Sequence, residues 1–270
     1  MLSNTIVKDT LNIPKVGLGT YKLTGTEGMK SIEDALHIGY RHIDTAQLYE
    51  NEEEVGKAIR NSGFAREQLF VTTKIWPSDF KKLLSAVETS LRRLKMDRVD
   101  LLLLHWPSDD ESNKAALDSL NEVLNRDYAQ HVGVSNFNLQ QLEQAISLAP
   151  VRCNQVEYHP FLSQQKMLDY LKAHDLFLTA YRPLALGKVV TDPVLLEIAK
   201  KHERSASQVA LRWLLQQGDV AVIPKASSAE RRTENLAVFD FELTAEDMDA
   251  IFALNREERL TNPSTAPEWD

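Results

Sequence analysis

A chain of 270 residues with 43% apolar content has enough hydrophobic side chains for a sizeable core. Its 31 basic and 39 acidic residues give a net charge of −8, which argues against the clustered basic surface that nucleic acid requires. A single cysteine, Cys153, excludes an internal disulfide and fits a reducing compartment. No apolar run approaches the ~20 residues of a membrane span, and MLSNTIVKDT lacks the basic-then-apolar pattern of a signal peptide, so a cytoplasmic protein is expected. With no linker, charge block or low-complexity stretch to divide it, residues 1–270 read as one domain.

In chain order, TIVKDTLNIP reads as a small hairpin ahead of the first main strand, placed to cap a barrel floor. Eight apolar or β-branched runs bounded by turn signals then read as buried strands: 15–19, 41–44, 69–73, 99–105, 131–135, 152–157, 177–181 and 220–224. Helical periodicity fills most gaps between them. In KKLLSAVETSLRRL the residues Leu83, Leu84, Val87, Leu91 and Leu94 share one face. SASQVALRWLLQQG opens with a capping box, Ser205 to Gln208, and closes at Gly218. LTAEDMDAIFAL takes Thr244 as its N-cap, with acids in the first turn. The long gap between strands seven and eight leaves room for an extra helix around 193–202. Strand and helix alternating eight times predict a parallel sheet, since parallel neighbours need long crossovers. The fold class predicted is α/β, a (β/α)8 TIM barrel with an N-terminal hairpin and extra helices; an open doubly wound sheet is the alternative.

Barrel enzymes carry their chemistry where the strands end at the carboxyl side. Asp44, Lys74 and His105 stand at such ends, in DTAQLYENEEEVG, VTTKIW and LLLLHWP, and Tyr49 lies five residues past Asp44. Each has a plainer reading alone: a solvated loop charge, a core histidine, a packing tyrosine. As a set they can protonate a carbonyl. A free phenol titrates near ~10, and an ammonium ~4 Å away at an effective dielectric of ~20 favours the phenolate by roughly 4 kcal/mol. Lys74 is therefore expected to lower the Tyr49 pKa, with Asp44 holding Lys74 charged and His105 directing the carbonyl oxygen. No side chain supplies a hydride, so a reduction here needs a nicotinamide.

The chain lacks G-x-G-x-x-G and G-x-x-x-x-G-K-[ST], so neither a Rossmann fold nor a P-loop is invoked. Barrels bind phosphate on the loops after strands seven and eight and at a helix start, where Lys225 and Arg231 stand in IPKASSAERR. Cys153 and His159 lie six residues apart along one segment and form no nucleophilic pair. No His or Cys spacing resembles a metal site.

GLGTY at 17–21, DTAQLYENEEEVG at 44–56, HWP at 105–107, GVSNF at 133–137, NQVEYHP at 154–160 and IPKASSAERRTEN at 223–235 occur in one order over nearly the whole chain. In these motifs the chain resembles the aldo-keto reductase superfamily. The short loop after His105 and the ending RLTNPSTAPEWD are most similar to the bacterial 2,5-diketo-D-gluconate reductases of the B type. The resemblance implies Tyr49 as the acid, Lys74 and Asp44 as its tuning pair, and His105 as the carbonyl orienter. It implies NADPH as cofactor, with Lys225 and Arg231 on the 2′-phosphate, Asn235 at the adenine, and Ser135, Asn136 and Gln155 on the carboxamide. Tyr181 would stack on the nicotinamide ring, and Gly19, Thr20, Leu184 and Ser227 complete the implied contacts.

Two positions depart from the family pattern: Arg182 replaces a serine in the YSPL-type motif, and Ala226 replaces a serine after IPK, so a phosphate-side hydroxyl is lost at each. Tyr21, Trp76 and Trp106 follow strands one, three and four as candidate walls of a substrate pocket. Short loops after Trp106 and Leu184 predict an open site suited to small aldehydes, methylglyoxal and keto-sugar acids. The expected partner is a small carbonyl substrate, with no nucleic acid or membrane, and the chain is expected to be a monomer. The alternatives are an NADPH-binding regulatory barrel, akin to potassium-channel β subunits, and a non-redox barrel such as an isomerase.

Overall fold

The computed structural model describes residues 2–270. The hairpin β1 (Thr5–Lys8) and β2 (Leu11–Pro14) pairs antiparallel, with Thr5 opposite Pro14. Eight parallel strands follow: β3 (Gly17–Gly19), β4 (His42–Asp44), β5 (Phe70–Ile75), β6 (Val99–Leu104), β7 (Ala129–Ser135), β8 (Val151–Glu157), β9 (Phe177–Tyr181) and β10 (Val220–Val222). Each pairs with its sequence neighbour. A parallel bridge from Val16 to Val222, with the Val222 amide donating to the Lys15 carbonyl at 2.7 Å, joins the first strand region to the last. This nearly closed barrel agrees with the eight predicted strands and rules out the open sheet, whose terminal strands would lie apart.

The helices are α1 (Gly25–Ile38), α2 (Glu52–Asn61), α3 (Leu83–Leu94), α4 (Asp110–Asn125), α5 (Leu139–Leu148), α6 (Gln165–Ala173), α7 (Pro193–Lys201), α8 (Ala206–Gln216), α9 (Ala229–Leu236) and α10 (Ala245–Phe252). The capping signals hold. Ser205 accepts from the Gln208 amide at 3.2 Å, Thr244 from the Asp247 amide at 3.2 Å, and Gly218 takes the positive φ (107°) that ends α8. The extra helix in the long gap is α7, capped by Asp192. Ahead of it lies a 3-10 stretch (Ala185–Thr191) that the sequence reading leaves as loop.

Strand alternation divides the core. Leu102 and Leu104 face the helical layer, whereas Leu101 and Leu103 join Phe70, Cys153, Phe177 and Ala221 inside the barrel. Ile6, Leu11 and Ile13 of the hairpin belong to the same inner cluster, so β1 and β2 do close the floor. That interior is tight. A Cβ on Gly133 would stand 2.8 Å from both the Cys153 sulfur and a Leu103 methyl. With the floor filled, only the carboxyl end remains for a cleft.

Candidate active site

The alternation that sends Leu101 and Leu103 inward sends His105 inward at the next step, just past the end of β6. The same period-2 count turns Lys74 inward on β5 two residues above Thr72, and Asp44 inward on β4 two residues above His42. Tyr49 ends a 3-10 turn (Gln47–Tyr49) between β4 and α2. Asn51 pins that turn: its side-chain amide donates to the Thr20 and Leu23 carbonyls at 2.8 and 2.9 Å, and its oxygen accepts from the Thr45 hydroxyl at 2.8 Å.

The structure brings the four together. Lys74 Nζ lies 2.5 Å from Asp44 Oδ1 and donates to the Thr45 carbonyl at 2.8 Å, with both charged side chains fully buried. Above them Nζ sits 5.2 Å from the centre of the Tyr49 ring. The His105 ring stands edge-on to Tyr49 at 5.7 Å and to Trp76 at 5.2 Å, and Tyr21 packs on Tyr49 at 5.1 Å.

A hydrogen-bond network leads away from the ion pair. Gln155 Nε2 donates to Asp44 Oδ2 at 2.9 Å, so each Asp44 oxygen has its own partner. Ser135 donates its hydroxyl to the Gln155 carbonyl at 2.8 Å. Asn136, held at positive φ (63°), donates to the His105 carbonyl at 3.0 Å and the Ser135 hydroxyl at 3.1 Å, and accepts from the Tyr181 hydroxyl at 2.8 Å. Fixing Gln155 Nε2 on a carboxylate turns its amide oxygen into the free acceptor of that side chain.

Burial governs the protonation of the site. It pulls the Lys74 ammonium below its usual value, and Asp44 opposes it. It holds His105 well below the ordinary imidazole range, helped by the charge of Lys74, so His105 is neutral at pH 7. One expectation is corrected. Tyr49 is not lowered in the protein alone: burial, then the Asp44 carboxylate, then Tyr21 push its pKa up, while Arg182 pulls the other way. The reason lies in the ion pair. An ammonium 2.5 Å from a carboxylate presents a nearly cancelled charge to the phenol, and desolvation then prevails.

One cleft of about 1350 Å³ opens at this end. Asp44, Tyr49 and His105 line it together with Tyr21, Trp76 and Trp106, and Lys74 lies beneath as the buried partner. Gly19, Thr20, Ser135, Asn136, Gln155, Tyr181, Leu184, Lys225, Arg231 and Asn235 also line it. Ser227 does not; it is exposed beyond the lining. Gly19 sits at the barrel seam, where a Cβ would come within 2.7 Å of the Ile223 carbonyl oxygen. At the far end, Lys225 stands exposed in the segment that leads into α9 and Arg231 stands exposed in the first turn of α9, whose N-cap is Ser228. Asn235 is a buried residue of the lining there, and its amide nitrogen makes no hydrogen bond within normal geometry.

A family model described as the aldo/keto reductase family matches residues 15–256. The chain belongs to the aldo/keto reductase family. Glyoxal reductase of Bacillus subtilis (strain 168) is 43% identical over 267 residues, covering 95% of this chain and 96% of that protein. Methylglyoxal reductase DkgB of Salmonella typhi is 40% identical over 268 residues, covering 96% and 100%. A crystal structure of a protein assigned as a 2,5-diketo-D-gluconic acid reductase B superposes with a TM-score of 0.96 at 45% identity, covering 100% and 98% of the two chains. Aldo/keto reductases are oxidoreductases that act on small carbonyl compounds with nicotinamide cofactors.

As an aldo/keto reductase the chain shows parts of its site that the motifs did not single out. Gln47 accepts from the Trp76 amide at 3.2 Å and donates to Asp79 at 2.8 Å, tying the Tyr49 turn to the segment after β5. Glu157 accepts from the amides of Leu260 and Thr261, each at 2.7 Å, and from His159 at 2.9 Å. Burial pushes the Glu157 carboxyl up, but those donors outweigh it and hold it below the ordinary range. The C-terminal segment it holds lines the cleft from Leu260 to Pro263, and Trp269 packs against Trp106 at 6.1 Å. The expected open site is thus walled on two sides, by this segment and by the 3-10 stretch carrying Leu186 and Val190. Only the presence of Gln47 and Glu157 inside recognised motifs pointed toward them; nothing in the sequence pairs Glu157 with residue 260.

Proposed function

We propose that this chain is an NADPH-dependent reductase of small aldehydes and keto-sugar acids, of the methylglyoxal and 2,5-diketo-D-gluconate type. The observation that carries it is one continuous cleft with Tyr49 and neutral His105 at one end and Lys225, Arg231 and the unpartnered Asn235 amide at the other. The donor set suits the cofactor. Lys225 and Arg231 join no ion pair among the described residues and are free for a 2′-phosphate, and Arg231 can bind it bidentately. Asn235 offers its amide to the adenine, Ser135, Asn136 and the free oxygen of Gln155 meet the carboxamide, and Tyr181 covers the ring. When bound, the nicotinamide supplies the hydride that the side chains lack.

The protein's own groups supply the rest. Tyr49, pushed up by burial, holds its proton throughout the neutral range and gives it to the carbonyl oxygen as that oxygen gains charge. Neutral His105 offers one ring N–H to the same oxygen, and its lowered pKa makes it a poor base for that proton. Lys74 is the cation nearest the ring as the phenolate forms, and the Asp44 carboxylate keeps it charged in a buried position. Trp76, Trp106 and Tyr21 keep water from the reacting carbon.

A spectrophotometric screen of NADPH oxidation across aldehydes, keto acids and keto-sugars, repeated with NADH, tests the reading. Turnover is expected with NADPH and more weakly with NADH. Arg231→Ala should raise KM for NADPH by roughly tenfold or more while sparing NADH. Equal efficiency with both nucleotides would remove the roles given to Lys225 and Arg231.

A further inference from the structure

Arg182 follows the last residue of β9 and lines the cleft at positive φ (50°). The residue is half-buried, and its one side-chain hydrogen bond is from Nη1 to the Leu260 carbonyl at 3.0 Å. No carboxylate pairs with it among the described residues, although acidic residues outnumber basic ones. A guanidinium has five N–H donors in a fixed fork, so four remain for something that enters the cleft. A partly buried cation without a counter-charge suits an anion.

We propose that Arg182 recognises the carboxylate of an anionic carbonyl substrate and so selects keto acids and aldehyde acids over neutral aldehydes. This rests on the carbonyl-reductase reading above and deepens it. Position favours the substrate over the phosphates. The contact with Leu260 fixes the guanidinium against the C-terminal segment, which runs on to Trp269 and hence to Trp106, a wall of the Tyr49 end. The charge of Arg182 is felt at both the Tyr49 and the Tyr181 hydroxyls. The phosphate end already has Lys225 and Arg231, carried beyond the following strand. A carboxylate bound at a fixed fork would also set which way the carbonyl faces Tyr49.

The test compares succinic semialdehyde with its neutral methyl ester in the wild-type protein, Arg182→Gln and Arg182→Lys. The acid-to-ester ratio of kcat/KM should fall by roughly tenfold or more in Arg182→Gln and recover in part in Arg182→Lys, with the NADPH Kd close to wild type. Glutarate, titrated against the fluorescence of Trp76 and Trp106, should bind wild type and lose that binding in Arg182→Gln. An unchanged ratio with unchanged glutarate binding overturns the proposal. So does a large loss of NADPH affinity without a change in ratio, which assigns Arg182 to the cofactor diphosphate. If wild type reduces neither compound, the reductase reading fails by itself, and the glutarate titration still decides the role of Arg182.

Discussion

Lys74 and Asp44 gain their meaning from being buried together. Alone, either charge at zero exposure would be strongly unfavourable; at 2.5 Å, with Thr45 and Gln155 taking up further valences, the pair is tolerated. Lys74→Met should therefore cost stability as well as activity, about 3 kcal/mol or more in a urea titration, because it leaves the Asp44 carboxylate without its cation. A loss below about 1 kcal/mol would contradict that account. At this scale the sequence was informative about identity and less so about electrostatics. The four residues were legible from motif and strand-end position, but a lowered Tyr49 pKa follows only from the one cation, whereas its surroundings include the carboxylate, a second tyrosine and a dry pocket. Arg182 was legible only as a departure; its bond to a residue 78 positions away depends on the closed fold.

Among the elements, strands were the easiest to read, because strands buried on both faces are nearly continuous apolar runs bounded by turn residues. Leu101 to Leu104 shows why: two of the four face the floor cluster and two face the helices. The 3-10 stretch after β9 was not readable, since Ala185 and Leu186 adopt positive φ, which their side chains give no reason to expect. The C-terminal segment has little periodicity of its own and is placed by Glu157, Arg182 and Asp270, whose carboxylate accepts from the Leu139 amide at the start of α5. Glu157→Gln removes the charge that accepts from the Leu260 and Thr261 amides. Limited trypsin digestion should then cut faster at Arg256 and Arg259, with the barrel intact. An unchanged cleavage rate would mean that Arg182 and Asp270 suffice to hold the segment.

Across the whole molecule, buried histidines connect the barrel to pH. His42 lies inside β4 with its ring between the Pro14 carbonyl at 3.3 Å and the Thr72 hydroxyl at 3.2 Å, and a Cβ on Gly17 would collide with it. Burial lowers its pKa to about 4, with Asp44 opposing, and His105 is lowered as well. Both folded values lie below the unfolded one, so between about pH 4 and 6.5 the unfolded chain binds more protons and stability rises with pH. Stability conferred by neutral His42 is present above pH ~6.5 and is lost as pH falls toward about 4, by about 3 kcal/mol in full. Urea midpoints should fall across that interval, less steeply in His42→Gln; a flat wild-type profile would contradict the burial argument.

The same closed barrel, floor filled and carboxyl end open, leaves a cleft lined by Tyr49 and His105 together with Lys225 and Arg231. The most direct measurement is NADPH affinity by fluorescence beside steady-state methylglyoxal reduction, in wild type and Tyr49→Phe. The substitution keeps the ring that packs on Tyr21 and His105 and removes only the hydroxyl. NADPH should bind with wild-type affinity while kcat falls by roughly 10² or more. Turnover near the wild-type rate would contradict Tyr49 as the acid.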